Sequence, residues 1–304
     1  MNPTPLSRSL SLLSLGLLLF SSLPGQDSTS LVPLREKCEA IIKDFPGVVG
    51  VGVRDLNSGK WFVLNGDKRF PMQSVFKLPL AMAVLDKAYK KGLSLEEEIH
   101  IDKADLLPNT WSPLRDSFPL GNVDLTLDEL LSYTVSQSDN NACDILFRWL
   151  GGPVKAQEYI RSLGIIDMTI ATTEAEMHKD WMVQYTNWCT PDAMLELLVK
   201  LYDQKALSPE ATDFLLRLMV ETNTGPKRLK GLLPDEIMVA HKTGSSGYND
   251  EGVSAATHDL GILILPDGVY YAVVVLITGT AAKVEACEQV IAQIAKAVVE
   301  NGGR

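Results

Sequence analysis

Ser74-Val75-Phe76-Lys77 sets a hydroxyl and an amine three positions apart. At the start of a helix those positions share a face, so the amine lies beside the hydroxyl. A free serine is a poor nucleophile and needs an adjacent base. Lys77 can be that base if burial and neighbouring cations lower its pKa. The helix N-terminus also offers backbone N–H groups and a positive dipole end to an oxyanion. Val75, Phe76, Leu78 and Leu80 are apolar, so an ordinary helix here would bury the Lys77 amine unpaired.

Two later triplets give the pair its meaning, Ser138-Asp139-Asn140 and Lys242-Thr243-Gly244. An S-x-x-K match arises by chance roughly once in a chain of this length. All three elements in this order arise in fewer than about one such chain in a hundred. Together they predict acyl transfer through a serine. Ser138 can deliver a proton to a leaving nitrogen, and Asn140 can bind a substrate amide. Asp139 suits a helix N-cap. Lys242 and Thr243 can hold a substrate carboxylate, and Gly244 lets a ligand approach the strand backbone. The N–H of Ser245 can join that of Ser74 as an oxyanion hole.

The positioning elements follow from periodicity. Residues 34–45 have helical spacing, and 47–56 and 60–64 read as strands joined at Asn57-Ser58-Gly59. Residues 74–91 read as a buried helix, with an irregular first turn expected from Pro79. Thr126 and Glu129 form a capping box. Helices are expected over 139–150 and 153–163, and proline-led helices after Thr190 and Ser208. Between 169 and 189 no period holds, and a polar loop of that length is usually functional. Strands return at 237–243, 257–265 and 269–277, with a hairpin turn at Pro266-Asp267-Gly268. Residues 281–299 close the chain as an amphipathic helix. The expected fold class is mixed α/β, of the α+β kind. Both chain ends build one five-stranded antiparallel sheet flanked by helices, and an all-helical domain is inserted between them. The expected units are a signal peptide at 1–26, an α/β domain from 27–72 and 222–304, and a helical domain at 73–221.

Arg8 precedes an apolar run over 10–20, and Ser21, Ser22, Pro24 and Gly25 follow. That pattern reads as a cleavable export signal, too short for a comfortable membrane span. A periplasmic protein without stable membrane association after cleavage is expected. The net charge is −10, and −11 once Arg8, the only charged residue of the leader's first 26, is removed. This argues against nucleic acid or an anionic membrane as partner, and requires any anion site to be built locally from cations. Cys38, Cys143, Cys189 and Cys287 lack C-x-x-C or zinc spacing and are expected as buried thiols, with Cys38 and Cys287 the one pair that packed terminal helices could join. His100, His178, His241 and His258 lack metal-ligand spacing, so neither metal nor other cofactor is expected. His241 and His258 are expected to satisfy core or strand-edge hydrogen bonds.

Beyond the three motifs, the chain carries Thr224-Gly225-Pro226-Lys227-Arg228-Leu229-Lys230-Gly231, Ala240-His241-Lys242-Thr243-Gly244 and Asp259-Leu260-Gly261. On these residues it resembles the class A serine β-lactamases over nearly its full length after the leader. It is most similar to the branch with the PER-type and Bacteroidetes cephalosporinase enzymes. The resemblance implies hydrolysis of a small-molecule β-lactam by a monomer, conferring resistance. Ser74 would attack the ring, with Lys77 or Glu174 (through a water) as base. Ser138 would protonate the ring nitrogen, and Glu174 would activate the deacylating water. Trp111 falls at the cleft rim and Arg228 near the carboxylate pocket. Ala175 and His178 replace a proline and an asparagine common in this loop, and His178 is expected to orient the water as neutral imidazole. Thr172 and Asn187 replace the usual ion pair at the loop's neck, so a loop of different shape is expected. Gln73 and Ser246 stand where many carbapenem-hydrolysing members have a disulfide. Glu176 is expected as a solvated loop charge. The rival readings are a D-Ala-D-Ala peptidase and a sensor domain that stays acylated. Glu174 in this loop argues against both.

Overall fold

The computed structural model describes residues 31–302, so the expected signal peptide lies outside the described residues. The chain opens with helix α1 (Val32–Ile42) and a hairpin of β1 (Val48–Asp55) and β2 (Trp61–Leu64). Asp55 sets the turn, because its carboxylate accepts from Asn57 N, Ser58 N and the Ser58 hydroxyl at 2.9, 3.0 and 2.6 Å. After β3 (Phe70–Pro71) a 3₁₀ turn over Gln73–Phe76 leads into α2 (Lys77–Lys91). The irregular start expected from Pro79 is therefore this turn, with the α-helix beginning only at Lys77. Strands β4 (Glu98–Ile101) and β5 (Val123–Thr126) pair, and α3 (Pro113–Ser117) lies between them in the chain.

Helix α4 (Leu127–Val135) opens on the Thr126–Glu129 capping box. Helix α5 (Asn140–Leu150) is capped by the Asp139 carboxylate and stopped at Gly151, where φ is +109°. Helix α6 (Pro153–Ser162), β6 (Met168–Thr169), a one-turn helix α7 (Glu174–Met177) and β7 (Trp188–Cys189) follow. Helices α8 (Pro191–Tyr202) and α9 (Pro209–Val220) start on Thr190 and Ser208 caps with proline in the first turn. Strands β8 (Met238–Ser245), β9 (Thr257–Ile264) and β10 (Tyr270–Thr278) and helix α10 (Val284–Asn301) complete the chain.

The main sheet is antiparallel, in the order β2-β1-β10-β9-β8, so both chain ends share it. Its central strand β10 shows why the run Tyr-Tyr-Ala-Val-Val-Val-Leu-Ile is continuously apolar. Ala272, Val274 and Leu276 enter the core beneath the helices. Tyr271, Val273, Val275 and Ile277 enter the second core against α1 and α10. Both faces of the sheet are covered, which removes the polar alternation of a half-exposed strand. All four cysteines are buried and free, and Cys38 and Cys287 share the second core without a bond. Periodicity missed the small sheet β3-β7-β6, whose two-residue strands are too short to show a period. That sheet ties the start of the Ser74 turn to both ends of the 169–189 loop. Among the described residues no helix is long and apolar enough to cross a membrane.

Candidate active site

Lys77 is completely buried, yet oxygens surround its ammonium. Nζ lies 3.0 Å from Ser74 Oγ, 2.8 Å from the Ser138 carbonyl, 2.5 Å from Asn140 Oδ1 and 2.9 Å from Glu174 Oε1. An ammonium has three protons for these four oxygens. The Ser138 carbonyl and Asn140 Oδ1 can only accept, so they fix two of the protons. The third goes to Ser74 Oγ, and Glu174 Oε1, 2.9 Å away, is paired with the charge but has no hydrogen bond of its own.

Each oxygen is presented by a local device. Ser74 sits in the 3₁₀ turn ahead of α2, and Gln73 before it adopts a left-handed φ of +46°. The Gln73 amide donates to Gln184 Oε1, which anchors this strained residue to the loop. Ser138 is also left-handed, at φ +58°, between α4 and α5. That geometry turns its carbonyl to Lys77 and its hydroxyl to Lys242 Nζ, 2.7 Å away. Asn140 begins α5 and is bound at both ends: Oδ1 accepts from Lys77, and Nδ2 donates to Thr110 Oγ1 at 2.6 Å. The protein holds the amide in place, and its second Nδ2 proton remains for a substrate in the cleft that Asn140 lines. Asp139 is the expected cap, and it also binds the Ser112 hydroxyl and Leu114 N. Burial still raises its pKa against these bonds.

The loop carrying Glu174 is closed at its neck without charge. Asn187 Oδ1 accepts from Ala171 N and Thr172 N at 2.7 and 3.0 Å, and its Nδ2 donates to the Thr172 carbonyl at 2.9 Å. One buried amide thus does what an ion pair would do. At the other end, Asp144 Oδ1 and Oδ2 accept from Glu174 N and Ala175 N, each at 2.8 Å. Burial outweighs these bonds and pushes Asp144 up to about 6. Asp144 was not singled out from the sequence, although it stands one helical turn after Asn140 and so on the same face of α5. Glu176 is not a free loop charge: it closes a capping box with Thr173, a pattern readable as Thr-x-x-Glu. His178 lines the cleft, but its Nε2 lies 2.8 Å from Thr110 Oγ1. It therefore extends the Lys77–Asn140–Thr110 chain, and that nitrogen is not free to hold a water.

The opposite wall is β8. A Cβ at Gly244 would lie 2.9 Å from Met72 O and 3.2 Å from Val75 N, so only glycine lets the strand pass this close to the Ser74 turn. Lys242 is buried, and burial followed by the nearby Lys77 charge holds it well below the usual lysine range. Thr243 Oγ1 is 2.6 Å from Thr224 Oγ1. Arg228 differs from expectation in its aim. Its guanidinium donates to the Gly244 and His258 carbonyls at 3.1 and 2.8 Å and to Ser245 Oγ at 2.7 Å, with Glu288 3.4 Å away. It braces β8 and β9 and reaches the cleft through Ser245. His258 is the expected core histidine, bonded to the Pro71 carbonyl and Ile277 N, and burial lowers it to about 4. His241 pairs with Asp259.

These walls enclose a cleft of about 530 Å³. Ser74, Trp111, Ser138, Asn140, Glu174, His178, Arg228, Thr243 and Ser245 line it, with Lys77 and Lys242 beneath. Trp111 stands at the rim, 61 % exposed, with its indole N–H on the Gln137 carbonyl. Among the described residues no group of three or more His, Cys, Asp or Glu side chains is placed to hold a metal.

A profile of the β-lactamase enzyme family matches residues 33–301. β-Lactamase VEB-1 of Pseudomonas aeruginosa is 44% identical over 262 residues, covering 86% of this chain and 87% of that protein. The extended-spectrum β-lactamase PER-1 of the same species is 41% identical over 280 residues, covering 92% and 91%. The crystal structure of TLA-1 extended-spectrum β-lactamase superposes with a TM-score of 0.87 at 49% identity, covering 90% of this chain and 99% of that one. A class A β-lactamase from Bacteroides cellulosilyticus gives 0.85 at 39% identity, covering 88% and 96%. The chain belongs to the β-lactamase enzyme family and is a class A β-lactamase, a hydrolase that opens the β-lactam ring and so confers antibiotic resistance.

Proposed function

We propose that Ser74 is the nucleophile of a two-step hydrolysis and that Lys77 and Glu174 manage its proton. The observation that carries this reading is one buried amine beside both groups: Lys77 Nζ donates to Ser74 Oγ and lies 2.9 Å from Glu174 Oε1, so one of its protons can pass to the carboxylate. With that proton on Glu174, the lone pair of Lys77 takes the Ser74 proton as Oγ attacks the ring carbonyl. The backbone N–H groups of Ser74 and Ser245 receive the oxyanion. Ser138, bonded to Lys242, gives its proton to the ring nitrogen as the C–N bond breaks. The proton that Lys77 took from Ser74 returns to Ser138, and the neutral amine then takes back the proton held on Glu174. The carboxylate so freed takes a proton from water, which attacks the ester, and that proton leaves with Ser74 Oγ as the acyl bond breaks. Lys242, Thr243 and Ser245 hold the substrate carboxylate, Arg228 acts through Ser245, and Trp111 stacks on the substrate at the rim. Asn140 and His178 are linked through Thr110, and they position Lys77 and the loop.

The same proposal covers the chain's organisation. Residues 1–26 direct export to the periplasm, 27–72 with 222–304 form the α/β unit, 73–221 form the helical unit, and the mature protein is a monomer. Mass spectrometry of periplasmic protein briefly mixed with a slow β-lactam tests both parts. The mature chain should begin near Gln26 or Asp27, and the adduct should sit on the peptide containing Ser74. An adduct on another serine overturns the assignment.

Arg228→Ala has two expected effects. KM for carboxylate-bearing β-lactams rises roughly tenfold with a smaller change in kcat, because uniform binding is lost. Tm falls by roughly 5–10 °C, because the Gly244 and His258 carbonyls lose their donor in the interior. Wild-type kinetics across several β-lactams would remove Arg228 from the site.

A further inference from the structure

Behind the cleft wall lies a buried ionisable pair that the chemistry above does not use. His241 and Asp259 are both fully buried. His241 Nδ1 is 2.9 and 3.0 Å from the two Asp259 oxygens. In the register of β8 and β9, His241 faces Gly261 and Asp259 faces Thr243, so the pair is diagonal on one face of the sheet. A Cβ at Gly261 would lie 2.1 Å from the Ala240 carbonyl oxygen and 2.7 Å from His241 Cα, so only glycine lets β9 pass this close to the β8 backbone at the pair. Lys242, one residue on, points to the other face and meets Ser138. Asp259 Oδ2 also accepts from Leu229 N at 3.0 Å, in the turn that carries Arg228.

We infer that Asp259, held by His241, is a positioning residue for both Lys242 and Arg228: one buried carboxylate pins the strand of the first and the turn of the second. This rests on the roles given above to Lys242 and Arg228. The charge of the pair follows from the hydrogen bonds. Nδ1 must donate, because both Asp259 oxygens accept. His241 Nε2 is buried and has no protein partner among the described residues. A second proton there would bury an unpaired N–H, so the imidazole is neutral and the pair keeps one negative charge. Lys242 needs such a neighbour. Burial and the Lys77 charge press its ammonium toward neutrality, and Asp259 and Glu174 oppose them. The other cations near the pair are Lys230, on which Asp259 also acts, and Arg228 in the adjoining turn.

The test is a set of nitrocefin pH profiles with Tm values for wild type, Asp259→Asn, His241→Gln and Lys242→Ala. Asp259→Asn should lose roughly tenfold in kcat/KM, mostly through KM. The alkaline limb of its profile should move down by about half a pH unit or more, because Lys242 gives up its proton more readily without the carboxylate. His241→Gln keeps a donor on the carboxylate and should hold the limb at its wild-type position. A merely structural role would lower Tm and leave the limb in place, and that result for Asp259→Asn overturns the inference. If Asp259→Asn does not fold, His241→Leu replaces it. That variant leaves the carboxylate only the Leu229 amide and favours its protonated form, so the same downward limb shift is expected, and an unmoved limb overturns the inference. Lys242→Ala separates the two levels. A severe loss there with an unmoved Asp259→Asn limb sinks this inference alone, whereas near-wild-type Lys242→Ala removes the role of Lys242 on which it rests.

Discussion

Ser74→Ala should abolish turnover and leave the protein as stable as before, or more so. The loss in kcat for nitrocefin should be on the order of 10⁴-fold or more, as for other enzymes stripped of a nucleophile. The stability side follows from the count around Lys77. With Ser74 Oγ gone, the proton it accepted is free for Glu174 Oε1, 2.9 Å away and otherwise without a hydrogen bond, while the Ser138 carbonyl and Asn140 Oδ1 keep theirs. Tm should therefore hold or rise by a few degrees, the usual relation between an active site and the stability it forgoes. Steady-state assay and calorimetry on the same sample check both halves. Turnover within a hundredfold of wild type would mean that another nucleophile carries the reaction.

Glu174→Gln should separate the two half-reactions. The glutamine amide has the shape of the carboxylate, and its oxygen can still accept from Lys77, so the loop should keep its form. Asp144 binds the backbone of residues 174 and 175, not the Glu174 side chain, so that anchor also survives. What is lost is a base for water. Stopped-flow with nitrocefin should show a burst of about one equivalent, then a steady rate reduced on the order of a hundredfold or more. Intact mass should show the acyl-enzyme persisting. Near-wild-type steady turnover would displace Glu174 from deacylation, and uniformly slow acylation without a burst would make it chiefly the acylation base.

The parts of the site legible in the sequence were those that local spacing fixes. Ser74 and Lys77 share a helix face, Asp139 caps a helix, and Lys242-Thr243-Gly244 rides a strand whose apolar run marks it as buried. The sheet was legible because its strands are long enough to show a pattern and Pro266-Asp267-Gly268 marks a turn. Contacts between distant polar side chains were not. Thr110 binds Asn140, 30 residues on, and His178, 68 residues on, and no period announces either contact. Asp144 and Glu176 carry local signals, a helical-turn spacing and a capping pattern, but neither signal says which backbone amides the carboxylate binds. Arg228 was placed correctly at the cleft, but its aim toward β8 and β9 depends on carbonyls 16 and 30 residues away.

The neck of the loop has a physical property of its own. An ion pair closing it would weaken as salt rose, since exposed charges are screened within about 10 Å at 0.1 M ionic strength, and it would open as acid neutralised its carboxylate. The Asn187 amide has neither weakness: its three bonds join dipoles in the interior, with no counterion cloud to compete and no proton to gain. The loop that carries Glu174 is therefore shut by a latch indifferent to the ionic make-up of the surrounding medium.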